Sequence, residues 1–171
     1  MRKVILNLAV SLDGYIEGPN GEYDWCFTDQ DYGMSDFFKR IDAVFIGRKS
    51  YEMSLGMEGA DNSWLPPVTA YVFSNTLQEV KAGSILVSGD FKSTVERIKS
   101  EPGKDIWLFG GAELTAALLQ AKLVDEFSLS IHPILLGGGK LLFGSMPERV
   151  HLKLTDAKTY DTGLVTLTYG L

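Results

Sequence analysis

Three places in this 171-residue sequence bring glycine, hydroxyl or basic side chains to the end of an apolar run. The first is Val44-Phe45-Ile46-Gly47-Arg48-Lys49-Ser50-Tyr51. Here a buried strand would deliver a glycine, two cations and a hydroxyl to the start of a helix, where unpaired N–H groups and a partial positive charge attract anions. Arg48 adds a planar fork that matches a phosphate monoester, and Ser50 adds a hydroxyl donor. The same residues also read as a solvated basic turn. The second place is Ser74-Asn75-Thr76, after Tyr71-Val72-Phe73. Its hydroxyl and amide either help to hold the same phosphate or simply cap a turn. The third is Ile106-Trp107-Leu108-Phe109-Gly110-Gly111-Ala112-Glu113-Leu114. Two glycines without Cβ atoms let the backbone approach a pyrophosphate at a helix N-terminus, although strand–Gly–Gly–helix is also an ordinary tight turn. The stretch matches neither G-x-G-x-x-G with its downstream acid nor a P-loop.

A fourth segment is acidic and aromatic: Tyr23, Asp24, Trp25, Phe27, Asp29, Asp31, Tyr32 and Asp36. Aromatic faces beside a carboxylate suit a flat, hydrogen-bonding heterocycle, since rings stack and a carboxylate orients ring N–H groups or exchanges a proton. The alternative is a solvated acidic loop whose aromatics join the core. Gly137-Gly138-Gly139-Lys140 resembles a phosphate loop, but Leu141 stands where a metal-binding hydroxyl belongs, so it reads as a turn or bulge. His132 and His151 have no acidic or cysteine partners at metal-ligand spacing and read as structural histidines; no metal is expected. No serine lies in a G-x-S-x-G elbow.

These groups need elements to position them. Residues 3–10 are apolar almost throughout and predict a strand buried on both faces. Residues 11–21 read as a loop with turn chemistry at Asp13-Gly14, Gly18-Pro19 and Asn20-Gly21. In residues 31–41, Met34, Phe37, Phe38 and Ile41 recur at helical spacing. A strand at 43–47, a short helix at 50–55, an irregular stretch at 56–67, strands at 69–74 and 84–88, a helix capped by Asp90, a strand at 105–109 and a helix at 112–121 follow. Strands alternating with helices imply parallel pairing through crossovers. Residues 126–136, 150–159 and 164–170 are extended with little helix between them, and Asp161-Thr162-Gly163 makes a hairpin turn. The expected fold is therefore α/β: a mixed, mostly parallel sheet with an antiparallel C-terminal edge and flanking helices, in one domain over residues 1–171.

Composition agrees with a folded chain: 45% of residues are apolar and 22% charged. A net charge of −6 argues against nucleic acid, whose binding needs a basic face. Cys26 is the only cysteine, which excludes an intrachain disulfide and fits a reducing, cytoplasmic setting. No apolar run approaches the ~20 residues that cross a bilayer, so no membrane association is expected.

Taken in order, the motifs resemble the dihydrofolate reductase-like superfamily, specifically small stand-alone proteins similar to the C-terminal reductase domain of RibD. Ile5 to Gly14 resembles the opening strand and its Ser-x-Asp-Gly loop, and Gly47-Arg48-Lys49-Ser50 the Gly-Arg-x-Thr/Ser cofactor motif. The most specific match runs from Gly110-Gly111-Ala112-Glu113-Leu114 through Leu123-Val124-Asp125-Glu126 to Pro133-Ile134-Leu135-Leu136-Gly137-Gly138-Gly139. The resemblance implies a three-layer fold around an eight-stranded sheet, with NADPH across its strand ends. Arg48 and Ser74 would then face the 2′-phosphate, Lys49 and Ser50 the phosphates near a helix start, and Gly110, Gly111, Ala112, Glu113 and Leu114 the pyrophosphate. Ala9 and Ile16 would flank the nicotinamide. Asp31 falls where dihydrofolate reductases carry their pterin-binding acid, and Trp25 near their motif tryptophan. Asn7, on the strand lining the substrate site, replaces the lysine usual in RibD reductases. The implied activity is NADPH-dependent reduction of a pteridine or aminopyrimidine, with 5-amino-6-(5-phosphoribosylamino)uracil reduction in riboflavin biosynthesis the closest named reaction. Asp31, with Asp13, would orient the substrate or relay a proton. Folate reduction, or an inactive NADPH-binding regulatory module, are the alternatives. A homodimer is implied.

Overall fold

A computed structural model describes residues 1–56, 67–144, 146 and 148–171. The apolar opening run is strand β1 (Val4–Ser11). It is apolar on both sides over most of its length because it lies inside an eight-stranded sheet. The elements that follow are β2 (Tyr15–Glu17), α1 (Met34–Arg40), β3 (Ile41–Gly47), α2 (Arg48–Gly56), β4 (Thr69–Phe73), β5 (Ser84–Val87), α3 (Phe91–Ser100), β6 (Asp105–Gly110), α4 (Ala112–Gln120), β7 (Glu126–His132), β8 (Lys140–Leu141), β9 (Lys153–Thr159) and β10 (Val165–Gly170). The strand order is β5-β4-β3-β6-β1-β7-β10-β9. The first six strands are parallel, and β10 runs antiparallel to both β7 and β9, giving the mixed sheet and antiparallel edge that the sequence predicts.

Period-two alternation splits the core between the two faces of the sheet. Val4, Leu6 and Val10 of β1 point into the larger cluster with Phe45, Leu108, Phe127 and Leu129, closed by Val95 and Ile98 of α3 and Leu118 and Leu119 of α4. On the opposite face Ile5 packs with Val44, Trp107 and Phe37 of α1, while Tyr51 of α2 joins Ile46 and Val72. These helices thus form the outer two of three layers. The Leu123-Val124-Asp125-Glu126 motif secures the lower end of the sheet. Asp125 accepts the Val4 N–H at 2.7 Å and pairs with the buried Lys99 at 2.7 Å, and Glu126 pairs with Arg40 of α1 at 2.9 Å.

Several boundaries differ from the sequence expectation. The helix expected from residue 31 starts at Met34, because Tyr32 (φ 49°) and Gly33 (φ 83°) take the left-handed conformation first. The strand from Glu126 ends at His132, since Pro133 has no N–H with which to continue a ladder. The strand expected from residue 150 begins at Lys153. Within the expected loop at 11–21 lies β2, which pairs antiparallel with β8. Of the stretch expected to be irregular at 56–67, residues 57–66 lie outside the described residues.

The β2–β8 pairing depends on one glycine. At Gly139 (φ +121°) a Cβ would sit 2.1 Å from the Glu17 carbonyl oxygen and 2.8 Å from the Gly18 carbonyl carbon, both backbone atoms. Gly137 has φ +71° but nothing within 4 Å of such a Cβ. Gly137→Ala should cost only the left-handed penalty of about 1–2 kcal/mol. Gly139→Ala should cost clearly more, in urea denaturation of the two variants side by side; equal losses would contradict the close approach.

Candidate active site

The C-terminal ends of β3, β4 and β5 and the starts of α2 and α4 enclose a cleft of about 330 Å³. Gly47, Arg48, Lys49, Ser50, Ser74, Asn75, Gly111, Ala112, Glu113 and Leu114 all line it, so the three sequence motifs meet in space. Adjacent parallel strands bring them there, since β3 pairs with both β4 and β6. A Cβ at Gly47 would lie 3.6 Å from the Gly110 carbonyl and 3.7 Å from Leu114 Cβ, and one at Gly111 would lie 3.5 Å from Ser50 Oγ. Gly110 (φ 103°) and Gly111 (φ 75°) occupy backbone conformations that favour glycine, and they turn β6 directly into α4. Two helix N-termini, with their unpaired N–H groups, therefore border the same space.

The side chains add donors. The Ser74 hydroxyl oxygen accepts the N–H groups of Thr76 (3.1 Å) and Leu77 (3.0 Å), and its O–H lies 3.3 Å from the Thr76 hydroxyl, an exposed bond that a phosphate oxygen can replace. Asn75 Oδ1 accepts the Gly89 N–H at 3.0 Å, which leaves its NH₂ group. Arg48 binds the Glu52 carboxylate through Nη1 at 2.9 and 3.1 Å, and Lys49 pairs with Glu113 at 3.2 Å. Both ion pairs are solvent-facing and thus weak enough to exchange a carboxylate for a phosphate. Thr76 of the second motif lines the cleft too, and Phe73, Val87, Gly89, Phe91, Ala117 and Lys140 also line it and were not expected from sequence. Val87-Ser88-Gly89-Asp90-Phe91 carries the same strand–glycine–helix signature as the other motifs and could have been found by it. Lys140 ends the glycine run that resembles a phosphate loop but reads as a turn, and the β2–β8 pairing brings it back to the cleft.

The remaining expected residues lie outside this cleft. Gly110, Ala9 and Ile16 stand apart from the lining of this cleft; Ala9 is half-buried on β1, opposite Ser130 of β7, and Ile16 packs on the main core beside Glu17, the partner of Lys140. Asn7 lies one row back, on the α1 face of the sheet. It is 7% exposed, its carbonyl accepts the Trp107 indole N–H at 2.8 Å, and its side-chain amide has no hydrogen-bond partner among the described residues. The register aligns Asn7 with Ser128 and Thr168, and Ala9 with Ser130 and Thr166. The Thr166 hydroxyl is buried without a partner among the described residues. Half of this sheet face is thus a polar floor, whereas Leu8, Leu129 and Tyr169 on the other face join the core.

Asp13 and Asp31 are hydrogen-bond hubs. Asp13 accepts the Ser11 hydroxyl (2.6 Å) and the N–H groups of Leu136 (3.1 Å) and Gly137 (2.8 Å), tying the end of β1 to the loop after β7. The Ser11 hydroxyl, followed by these N–H donors, lowers its pKa. Asp31 accepts the Ser35 hydroxyl (2.5 Å) and the N–H groups of Ser35 (3.0 Å) and Gly33 (3.1 Å), so it caps α1; the same bonds, led by the Ser35 hydroxyl, hold its pKa down. Both are placed to act as carboxylates that accept, not as acids that donate a proton near neutrality. Trp25 donates its indole N–H to the Glu22 carbonyl at 3.3 Å and packs edge-on against His132. Burial, followed by the charge of Asp24, pushes the Cys26 thiol up to about 11, which leaves it unreactive.

Comparison with known proteins places this geometry. A profile of the RibD C-terminal domain matches residues 2–166. The chain is 41% identical over 177 aligned positions to the Bacillus subtilis (strain 168) protein YyaP, covering 98% of this chain and 94% of that one. Among solved structures, one described as "Putative riboflavin biosynthesis protein" from Shewanella sp. PV-4 superposes with a TM-score of 0.85 at 28% identity, covering 98% of both chains. A Thermotoga maritima diaminohydroxyphosphoribosylaminopyrimidine deaminase/5-amino-6-(5-phosphoribosylamino)uracil reductase shares the fold, with a TM-score of 0.71 at 14% identity over 99% of this chain and 56% of that one. On the match across almost its whole length, the chain belongs to the RibD C-terminal domain family.

Proposed function

We propose that the protein is an NADPH-dependent reductase of a pteridine or aminopyrimidine heterocycle, with 5-amino-6-(5-phosphoribosylamino)uracil reduction the nearest named reaction. The observation that carries this reading is the convergence of two helix N-termini, the Arg48 fork and the Ser74 and Asn75 donors on one cleft. That donor set fits a cofactor carrying a pyrophosphate and a separate phosphate monoester. Arg48, Ser74 and Asn75 would hold the monoester, and Lys49, Ser50 and Gly110 to Leu114 the pyrophosphate. When bound, NADPH would supply the hydride. The chain's own residues bind and orient both reactants and exclude water. Ala9 and Ile16 would border the reacting ring, and Asn7 with Ser128 would offer the substrate an amide and a hydroxyl.

Asp31 would orient the substrate through its remaining carboxylate lone pairs, and Asp13 fixes the loop after β7. Asp31→Asn should lower turnover of a dihydropterin or of the phosphoribosylaminouracil about 10²-fold while sparing NADPH affinity, as followed by NADPH oxidation and by binding titration. Unchanged turnover would remove Asp31 from this role. Glu52 occupies the Arg48 fork in place of a phosphate. Glu52→Gln should therefore tighten NADPH binding by about two- to fivefold and leave NADH binding as it was; the same gain for both cofactors would separate Arg48 from the monoester.

We also propose that the protein works in the cytoplasm as a homodimer. Supporting the first, no helix among the described residues is long and apolar enough to cross a membrane. Supporting the second, every residue of the edge strand β9 is exposed, and Val150, Leu152 and Leu154 present apolar surface beside and on it. Sedimentation should give twice the chain mass, reduced to the single mass in Leu154→Glu. A wild-type monomer at micromolar concentration would refute the pairing.

A further inference from the structure

His132 is 3% exposed, and both of its ring nitrogens are committed. Nδ1 lies 3.0 Å from the Ser130 carbonyl oxygen, which can only accept, so Nδ1 carries the hydrogen. Nε2 is then a lone pair, and it accepts the Phe27 N–H at 3.1 Å across 105 residues of sequence. The ring also touches Trp25 edge-on at 5.3 Å and Phe27 at 5.0 Å between centroids. His132 is the last residue of β7 and lies opposite Ser11, whose hydroxyl accepts the Tyr15 N–H and bonds Asp13. Beyond Phe27 the same loop reaches the β9–β10 hairpin, where the Tyr32 hydroxyl bonds Asp29 at 2.6 Å and Thr162 at 3.2 Å.

We infer that His132 is a pH-sensitive positioning residue: its neutral imidazole holds the aromatic loop around Trp25 and Phe27 over the polar floor of the sheet, and protonation releases that loop. A proton on Nε2 would set a donor against the Phe27 N–H and strand both in a buried place. Titratable groups on the packed elements are Asp13 after β1, Glu22, Tyr23, Asp24, Cys26, Asp29, Asp31 and Tyr32 on the loop, and Lys158, Tyr160 and Asp161 on the hairpin. None of them governs the imidazole charge. Burial disfavours the cation and is the larger influence, the Ser130 carbonyl opposes it, and the pKa lies below the ordinary 6.5. Unfolded chains take up this proton near pH 6.5, before the folded protein does. The contribution of the clamp to stability is therefore complete above that pH and is lost as pH falls through the depressed folded value.

The effect on catalysis rests on the reading of the polar floor as the substrate side; the clamp itself is observable with no ligand. Imidazole NMR of the full chain resolves His132 against the exposed His151. His132 should stay neutral to lower pH than a free histidine, and tryptophan fluorescence should change with the same midpoint. His132→Gln keeps an acceptor near the Nε2 position but cannot protonate. It should retain activity with a dihydropterin and lose the acid-side fall in both fluorescence and kcat/KM. His132→Phe keeps the ring and strands the Phe27 N–H. It should raise KM for the dihydropterin about tenfold at every pH without changing NADPH affinity. A His132 that titrates like free histidine, or an acid-side fluorescence change that persists in His132→Gln, overturns the inference. Absence of NADPH binding would instead strike the proposed function, leaving the NMR and fluorescence results to decide the clamp.

Discussion

The cleft exists because parallel strands that share a sheet all point their C-terminal ends the same way, and in this chain those ends run into helices through glycine. Strands β3 and β6 are hydrogen-bonded neighbours with Ile46 in register with Gly110, and a Cβ at Gly47 would be in ordinary contact with the Gly110 carbonyl oxygen and with Leu114 Cβ of α4. That contact brings the first turns of α2 and α4 to one place, and the partial positive charges of two helix ends add there without any buried cation. In a chain with net charge −6, this is the feature on which the proposed binding of an anionic cofactor rests. Under the proposed function the basic side chains would supply selectivity more than attraction, since Arg48 and Lys49 already have carboxylate partners in Glu52 and Glu113.

The two faces of the sheet divide the remaining work. One is apolar from β5 to β10 and makes the main core. The other is apolar only under α1 and α2 and becomes polar across β7 and β10, where Asn7, Ser128, Ser130, Thr166 and Thr168 share two register rows. Polar side chains on a covered sheet face are costly unless something hydrogen-bonds them. The Thr166 hydroxyl is buried without a partner among the described residues, as is that of Thr115 on α4, and the half-buried Ser128, Ser130 and Thr168 leave further hydroxyls on this face. The loop after β2 is tied to that end of the sheet by the His132 imidazole through Phe27 and to the β9–β10 hairpin by Tyr32.

What was legible in the sequence was local in origin. Gly47-Arg48-Lys49-Ser50 and Gly110-Gly111 could be read as strand ends feeding helices because every residue involved is within a few positions of the next, and the apolar run of β1 announces a central strand by itself. The antiparallel edge was legible for the same reason, from hairpin chemistry at Asp161-Thr162-Gly163. What escaped depends on partners far apart in sequence. Lys140 reaches the cleft only through Gly139 packing on Glu17, and His132 looked like an ordinary structural histidine because Phe27 is 105 positions away. Asp31 was placed inside a helix by the spacing of Met34, Phe37 and Phe38; two left-handed residues after it make it a cap instead.

The central claim is that this set of helix ends and the Arg48 fork recognise a dinucleotide carrying an additional phosphate monoester. It is tested most directly by calorimetric titration of the wild-type protein with NADPH and, separately, with NADH. The account predicts tight binding of NADPH and at least about tenfold weaker binding of NADH, the difference expected for one charge-assisted phosphate contact. Equal affinity for the two would contradict the assignment of Arg48, and binding of neither would contradict the cofactor site as a whole.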